Sequence, residues 1–153
     1  MSQRQPSILV VCMGNICRSP TGEAVLKAKA AQMGIDVEVD SAGTIAYHQG
    51  NPPDRRARMA GEKRGYSFAG MAARPVTSRD FAHFDLILAA DRDNLADLQA
   101  RCPAEYQHKL SLFLSHGQSA EAEIPDPYYG GADGFERVLD LLEESAEAVL
   151  KKL

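Results

Sequence analysis

Ile8-Leu9-Val10-Val11 is a short, unbroken apolar run, the pattern of a strand buried on both faces. Ser19 and Pro20 read as the start of a helix, with Ser at the N-cap and Pro in the first turn. Glu23 falls in the first-turn region that favours acids, and Gly34 is the stop. Ile35, Val37 and Val39 alternate with Asp36, Glu38 and Asp40, which predicts a second, half-exposed strand. A helix is predicted from Pro52 to about Arg64, ending near Gly65. Phe84 to Ala90 reads as another buried strand, Asp91 as the cap of a following helix, and Lys109 to Leu112 as a last short strand. The final segment has the clearest period. Phe135, Val138, Leu139, Leu142, Ala146, Val149, Leu150 and Leu153 share one stripe, while Glu143, Glu144 and Glu147 face away. Strands alternating with helices predict a parallel α/β sheet. Ligands in such sheets bind beyond the carboxyl ends of the strands, so the loop after Val11 is the first place to look for a site.

Composition narrows the class. The 153 residues, 44% hydrophobic and 25% charged, suit one domain spanning 1–153 with a real core. A net charge of −4 argues against a nucleic-acid module, which has the opposite balance. No apolar run approaches the roughly 20 residues that cross a bilayer, and the apolar stretch at the start is too short for a signal sequence. Three cysteines, Cys12, Cys17 and Cys102, are an odd number, unlike a secreted disulfide scaffold. The expectation is a reducing cytoplasm and no membrane.

The loop Cys12-Met13-Gly14-Asn15-Ile16-Cys17-Arg18-Ser19 joins the first strand to a helix N-terminus. Such a turn gathers backbone N–H groups into a concavity, and the helix dipole adds partial positive charge. Gly14 permits close approach or positive φ, and Asn15 tolerates left-handed geometry. The pattern is neither a nucleotide-triphosphate loop nor a dinucleotide loop. Cys12 begins the cradle, in a field that favours thiolate over thiol. Arg18 can bind two phosphate oxygens with its planar fork, and Ser19 can donate a hydrogen bond to the sulfur. Cys12 is therefore the candidate nucleophile and Arg18 the phosphate clamp. Cysteine after an apolar strand is often inert packing, and one C-x5-R arises readily by chance. The strand before it and Gly14, Asn15 and Ser19-Pro20 after it favour the chemical reading.

Asp126 sits between Pro125 and Pro127, which stiffen the backbone presenting its carboxyl. Asp-Pro alone is a turn signal; with the Cys12 loop it becomes the candidate general acid. Tyr47, Tyr128 and Tyr129 suit the rim of a pocket that takes an aromatic ring. His48, His83, His108 and His116 show no metal-ligand spacing and read as surface residues. Arg55, Arg56, Arg58, Lys63 and Arg64 read as a solvated helix face, and Cys102 as structural.

The run Val10-Val11-Cys12-Met13-Gly14-Asn15-Ile16-Cys17-Arg18-Ser19-Pro20-Thr21 resembles the signature of low-molecular-weight protein-tyrosine phosphatases. Asp40-Ser41-Ala42-Gly43-Thr44, Asp85-Leu86-Ile87-Leu88 and Pro125-Asp126-Pro127-Tyr128-Tyr129 extend the resemblance over essentially the whole chain. It implies a three-layer fold, with a four-stranded parallel sheet and helices on both faces. It implies a two-step mechanism through a phosphocysteine, without metal or other cofactor. By position, Cys12 is the nucleophile, Arg18 the phosphate ligand and Asp126 the acid; Asn15 and Ser19 organise the loop and Ser41 supports it. Met13, Gly14, Asn15, Ile16, Cys17 and Ser19 contact the substrate, with Tyr47, Tyr128 and Tyr129 at the mouth. Cys17 matches a second loop cysteine that can form a reversible disulfide with the nucleophile. Many relatives carry His where Met71 stands, so a hydrogen bond supporting the loop is absent or replaced. The implied partner is a phosphotyrosine protein, an autophosphorylating tyrosine kinase among the candidates, acted on by a monomer.

Three rivals are weighed. A thiol-coupled arsenate reductase of this fold needs two further cysteines, and only Cys102 lies beyond the loop. A phosphoarginine phosphatase resembles this chain but carries Thr where Ile16 stands. A non-catalytic phosphate-binding module would be expected to lose Cys12 or Asp126, and both are present.

Overall fold

In a computed structural model of the protein, which describes residues 5–127 and 132–153, four parallel strands form one sheet in the order β2-β1-β3-β4. β1 (Ser7–Cys12) is central and buried along its whole length. Its pleat sends alternate side chains to opposite faces. Ile8, Val10 and Cys12 join one core with the first and last helices, α1 (Arg18–Met33) and α5 (Ala132–Lys151). Leu9 and Val11 join a second core with Ile87 and Ala89 of β3 (Leu86–Ala89) and with Phe81 and Leu98. These last two belong to α3 (Ser78–His83) and α4 (Arg92–Arg101). Helices thus cover both faces, which is why β1 carries no polar alternation. Among the described residues, no helix is long and apolar enough to cross a membrane.

Several boundaries differ from the sequence reading, each for a local reason. β2 (Glu38–Gly43) begins later than the Ile35-Val37-Val39 alternation suggests. Its first rung pairs Ser7 with Glu38, and upstream lies Pro6, which accepts from the Glu38 N–H at 2.9 Å but has no N–H to give. Ile35 and Val37 instead pack against the first core as half-buried residues. α1 starts at Arg18 with Cys17 in the cap position and no side-chain cap, because the Ser19 hydroxyl is turned towards Cys12 and Asn15. Pro20 still falls in the first turn, where N–H groups have no intrahelical acceptor. The middle helix, α2 (Arg55–Lys63), is capped by Asp54, whose side chain accepts from Arg56 and Ala57. β4 spans Leu110–Leu112. α3 has no clear periodic signal at six residues. Leu153 lies past the end of α5 and is exposed. Arg64 is no solvated end residue: it reaches Glu136, Asp140 and Glu143 of α5 at 2.8–3.0 Å, fastening α2 to α5.

Candidate active site

The order β2-β1-β3 reverses the direction of chain winding beside β1, and the C-terminal ends of β1 and β3 face the crevice this creates. Cys12 closes β1 and Asp91 follows β3. The loop from Cys12 to Ser19 is held there by backbone bonds. Thr44 and Ile45 donate to the carbonyls of Cys12 and Met13, and Asp54 donates to that of Ile16. Gly43 leaves room for the second of these, since a Cβ there would stand 2.7 Å from the Met13 carbonyl oxygen. Asn15 is the residue with positive φ, at 57°. Gly14 is needed for space instead: a Cβ would meet the His48 ring at 3.0 Å.

The loop's polar side chains form a chain with one direction. The Arg74 N–H donates to Asn15 Oδ1 at 3.0 Å, so the Asn15 amide hydrogens face the other way. They go to Ser19 Oγ at 2.8 Å and Ser41 Oγ at 3.0 Å. Ser41 donates to Glu23 Oε1 at 2.7 Å, and Glu23 Oε2 pairs with Lys27 Nζ at 2.5 Å. A carboxylate only accepts, and an amide nitrogen only donates. The Ser19 hydroxyl hydrogen is left for Cys12 Sγ at 3.0 Å or the Ala42 carbonyl at 3.5 Å, and the sulfur is the nearer of the two. The Asn15 N–H also donates to that sulfur, at 3.3 Å. Glu23 is thus a buried support for the loop, five residues into α1, and not a first-turn dipole residue. It gives the Ser41 hydroxyl a charged acceptor, whereas the Met71 thioether is only a weak one.

Arg18 is 5% exposed. One of its terminal nitrogens, Nη1, donates to Asp91 Oδ2 at 2.8 Å and to the Ile124 carbonyl at 3.0 Å. Its other, Nη2, lies 3.9 Å from Asp126 Oδ2. Burial pulls the guanidinium pKa down, but the Asp91 hydrogen bond and the charges of Cys12, Asp91 and Asp126 outweigh it and hold it above its ordinary value. Asp91 uses both oxygens: Oδ1 caps α4 by accepting from the Asn94 N–H at 2.8 Å, while Oδ2 orients Arg18. The segment bearing Asp126 is tied to the end of β3 by the Ile124 N–H on the Ala90 carbonyl, at 2.8 Å.

Cys12, Arg18 and Asp126 all line one open cavity of about 300 Å3, with Met13, Gly14, Ile16, Cys17, Tyr47 and His48. That is the low end of the size of small-molecule sites. Tyr47 is 82% exposed and meets His48 edge to face at 4.8 Å. Burial first, then the charges of Asp54, Cys12 and Asp126, push the Cys17 thiol up to about 12. Cys17 is therefore a protonated thiol near neutral pH.

Of the residues singled out from sequence, Asn15 and Ser19 support the loop from behind rather than lining this cavity. Tyr128 and Tyr129 lie outside the described residues. His48 is a pocket wall, not a plain surface residue; its place directly after Tyr47 was the available signal. In sequence Asp91 signals only a helix cap, although its position at the end of a strand next to β1 marks the crevice. Glu23 gave no signal of its own. Among the described residues, no group of three or more His, Cys, Asp or Glu could hold a metal ion.

The model of the family described as low molecular weight phosphotyrosine protein phosphatase matches residues 7–153. A human protein of that name is 39% identical over 158 residues, covering 98% of this chain and 97% of its own. A protein tyrosine phosphatase from Entamoeba histolytica, solved with Hepes in its active site, is 43% identical with a TM-score of 0.93, covering 97% and 96% of the two chains. Vibrio vulnificus Wzb, solved with benzylphosphonate, is 34% identical with a TM-score of 0.85, covering 98% and 100%.

Proposed function

The chain belongs to the low molecular weight phosphotyrosine protein phosphatase family, and from that premise we propose that it hydrolyses phosphotyrosine in proteins through a phosphocysteine on Cys12. The observation that carries this reading is the convergence of Cys12, Arg18 and Asp126 on one cavity. In the first step the Cys12 thiolate attacks phosphorus, an S–P bond forms and the bond to the tyrosyl oxygen breaks. Asp126 gives its proton to the departing phenolate. Arg18 and the loop N–H groups take the charge on the phosphoryl oxygens. In the second step water attacks phosphorus, Asp126 accepts its proton, and the S–P bond breaks to release phosphate. The Ser19 hydroxyl, aimed at the sulfur by Asn15, stabilises the thiolate as it leaves.

Benzylphosphonate in the Vibrio relative supports a ring-bearing substrate, as do the Ile16 side chain, the Tyr47 ring and the His48 ring at this cavity. The three cysteines are free thiols, in keeping with a single domain, 1–153, that works in the cytoplasm. Cys12 and Cys17 share the cavity wall, in keeping with reversible inactivation by a disulfide between them. The substrate is a phosphotyrosine protein, with an autophosphorylating tyrosine kinase among the candidates, and the enzyme acts as a monomer.

Asp126→Asn tests the chemistry. It slows hydrolysis by about a hundredfold or more for poor leaving groups, the scale of general acid catalysis. The loss shrinks for activated aryl phosphates. Measured as kcat/KM against phenol pKa, the variant gives a steeper line than wild type; parallel lines would assign the acid to another residue.

A further inference from the structure

A second cavity, of about 330 Å3, shares only Asn15 with the catalytic loop. Pro20, Val39, Pro53 and Met71 give it an apolar side, and Glu23 and Lys27 a charged one. No catalytic step uses it. The Glu23 side chain is 6% exposed, and a carboxylate so buried needs a cation beside it. The Lys27 amine is that cation, and its side chain is 51% exposed on a flexible stem, so it can yield its place to another cation. Arg74, on the same wall, serves Asp40 and, outside the cavity lining, Asp80, each at 3.0 Å, so of the two lining cations Lys27 is the one paired with Glu23.

We propose that this cavity is a second binding site that takes a compact organic cation, an amidinium or alkylammonium with a small apolar body, on the Glu23 carboxylate in the place Lys27 holds. An amidinium presents the planar fork that suits a carboxylate. Its hydrocarbon lies against Pro20, Val39 and the adaptable Met71 thioether. The site is linked to the nucleophile through hydrogen bonds: Glu23 accepts from Ser41, Ser41 accepts from the Asn15 amide, and the same amide donates to Ser19 beside Cys12. A cation that holds Glu23 in place thereby keeps Ser41 where it steadies Asn15. Binding itself is independent of the proposed phosphatase activity; only its effect on turnover rests on that reading.

The probe is benzamidinium, titrated by calorimetry into wild type and Lys27→Ala with inorganic phosphate at saturation. Removing a competitor that fills the site most of the time tightens binding in Lys27→Ala by about tenfold. Glu23→Gln, checked for folding by thermal melting, loses it. If that variant fails to fold, Met71→Trp, which fills the cavity, replaces it with the same expectation. In turnover of p-nitrophenyl phosphate, Lys27→Ala falls about fivefold in kcat, the scale of losing one supporting charge-assisted bond. Benzamidinium restores it saturably, while tetramethylammonium, which has no N–H to donate, does not. Equal affinity for wild type and Lys27→Ala, displacement of the probe by phosphate, or an equal response to tetramethylammonium would overturn the proposal. Absence of hydrolysis by wild type without probe would instead overturn the phosphatase reading and leave the calorimetric result standing.

Discussion

Replacing Asp91 with Asn separates the two tasks of one carboxylate. In the native protein Oδ1 accepts from the Asn94 N–H and Oδ2 accepts from Arg18 Nη1, each at 2.8 Å. An amide has one acceptor oxygen and an NH2 that only donates. Asn is a good N-cap, so Asp91→Asn keeps the cap and turns its NH2 towards a guanidinium that also only donates. The Asp91 side chain is 21% exposed and the Arg18 side chain 6%, so solvent does little to screen the loss. A hydrogen bond to a charged group is worth about 1.5–3 kcal/mol, and tenfold in rate is about 1.4 kcal/mol. If Arg18 must hold its geometry in the transition state, kcat/KM for p-nitrophenyl phosphate falls by roughly ten- to a hundredfold. Asp91→Ala falls by a similar factor and also loses about 1 kcal/mol of stability with the cap, read from urea unfolding. A kcat/KM for Asp91→Asn within about twofold of wild type, set against that tenfold scale, would refute the claim that Asp91 orients the clamp.

Two further outcomes follow from the titrating groups. At pH 7.5, iodoacetate labels Cys12 well before Cys17, whose thiol is pushed up to about 12, first by burial; peptide mass spectrometry showing equal labelling of the two would overturn that assignment. His116 has its pKa lowered from an ordinary value of 6.5, first by burial and then by Lys152, so protons bind the unfolded chain in preference. Its contribution to stability is complete above about pH 6.5 and is lost as pH falls through the lowered folded value, so urea midpoints measured from pH 7 to 5 fall less steeply in His116→Gln than in wild type.

The fold was most legible where burial is uniform or strictly periodic. The apolar run of β1 and the stripe of α5 as far as Leu150 lie where the sequence puts them, since two-sided burial and a 3.6-residue period each leave one pattern. The start of β2 was not legible, because alternation shows a strand-like face but not whether a partner strand is there to pair. The loop from Cys12 to Ser19 was legible in its parts, and Asn15 takes the left-handed turn its type allows. What sequence spacing missed are contacts made only by the tertiary fold. Arg18 reaches Asp91 across 73 positions, and Ser41 reaches Glu23 across 18. Ser19 and Glu23 looked like helix-start residues because capping and loop support draw on the same side chains.

The covalent intermediate on Cys12 is the step most open to direct capture. Asp126→Asn turning over p-nitrophenyl phosphate needs no acid for the first step but lacks the base for the second, so phosphoenzyme accumulates. Rapid acid quench followed by peptide mass spectrometry should find one phosphate, carried by Cys12. Phosphate on any other residue, or a p-nitrophenol burst with no phosphate on Cys12, would contradict it.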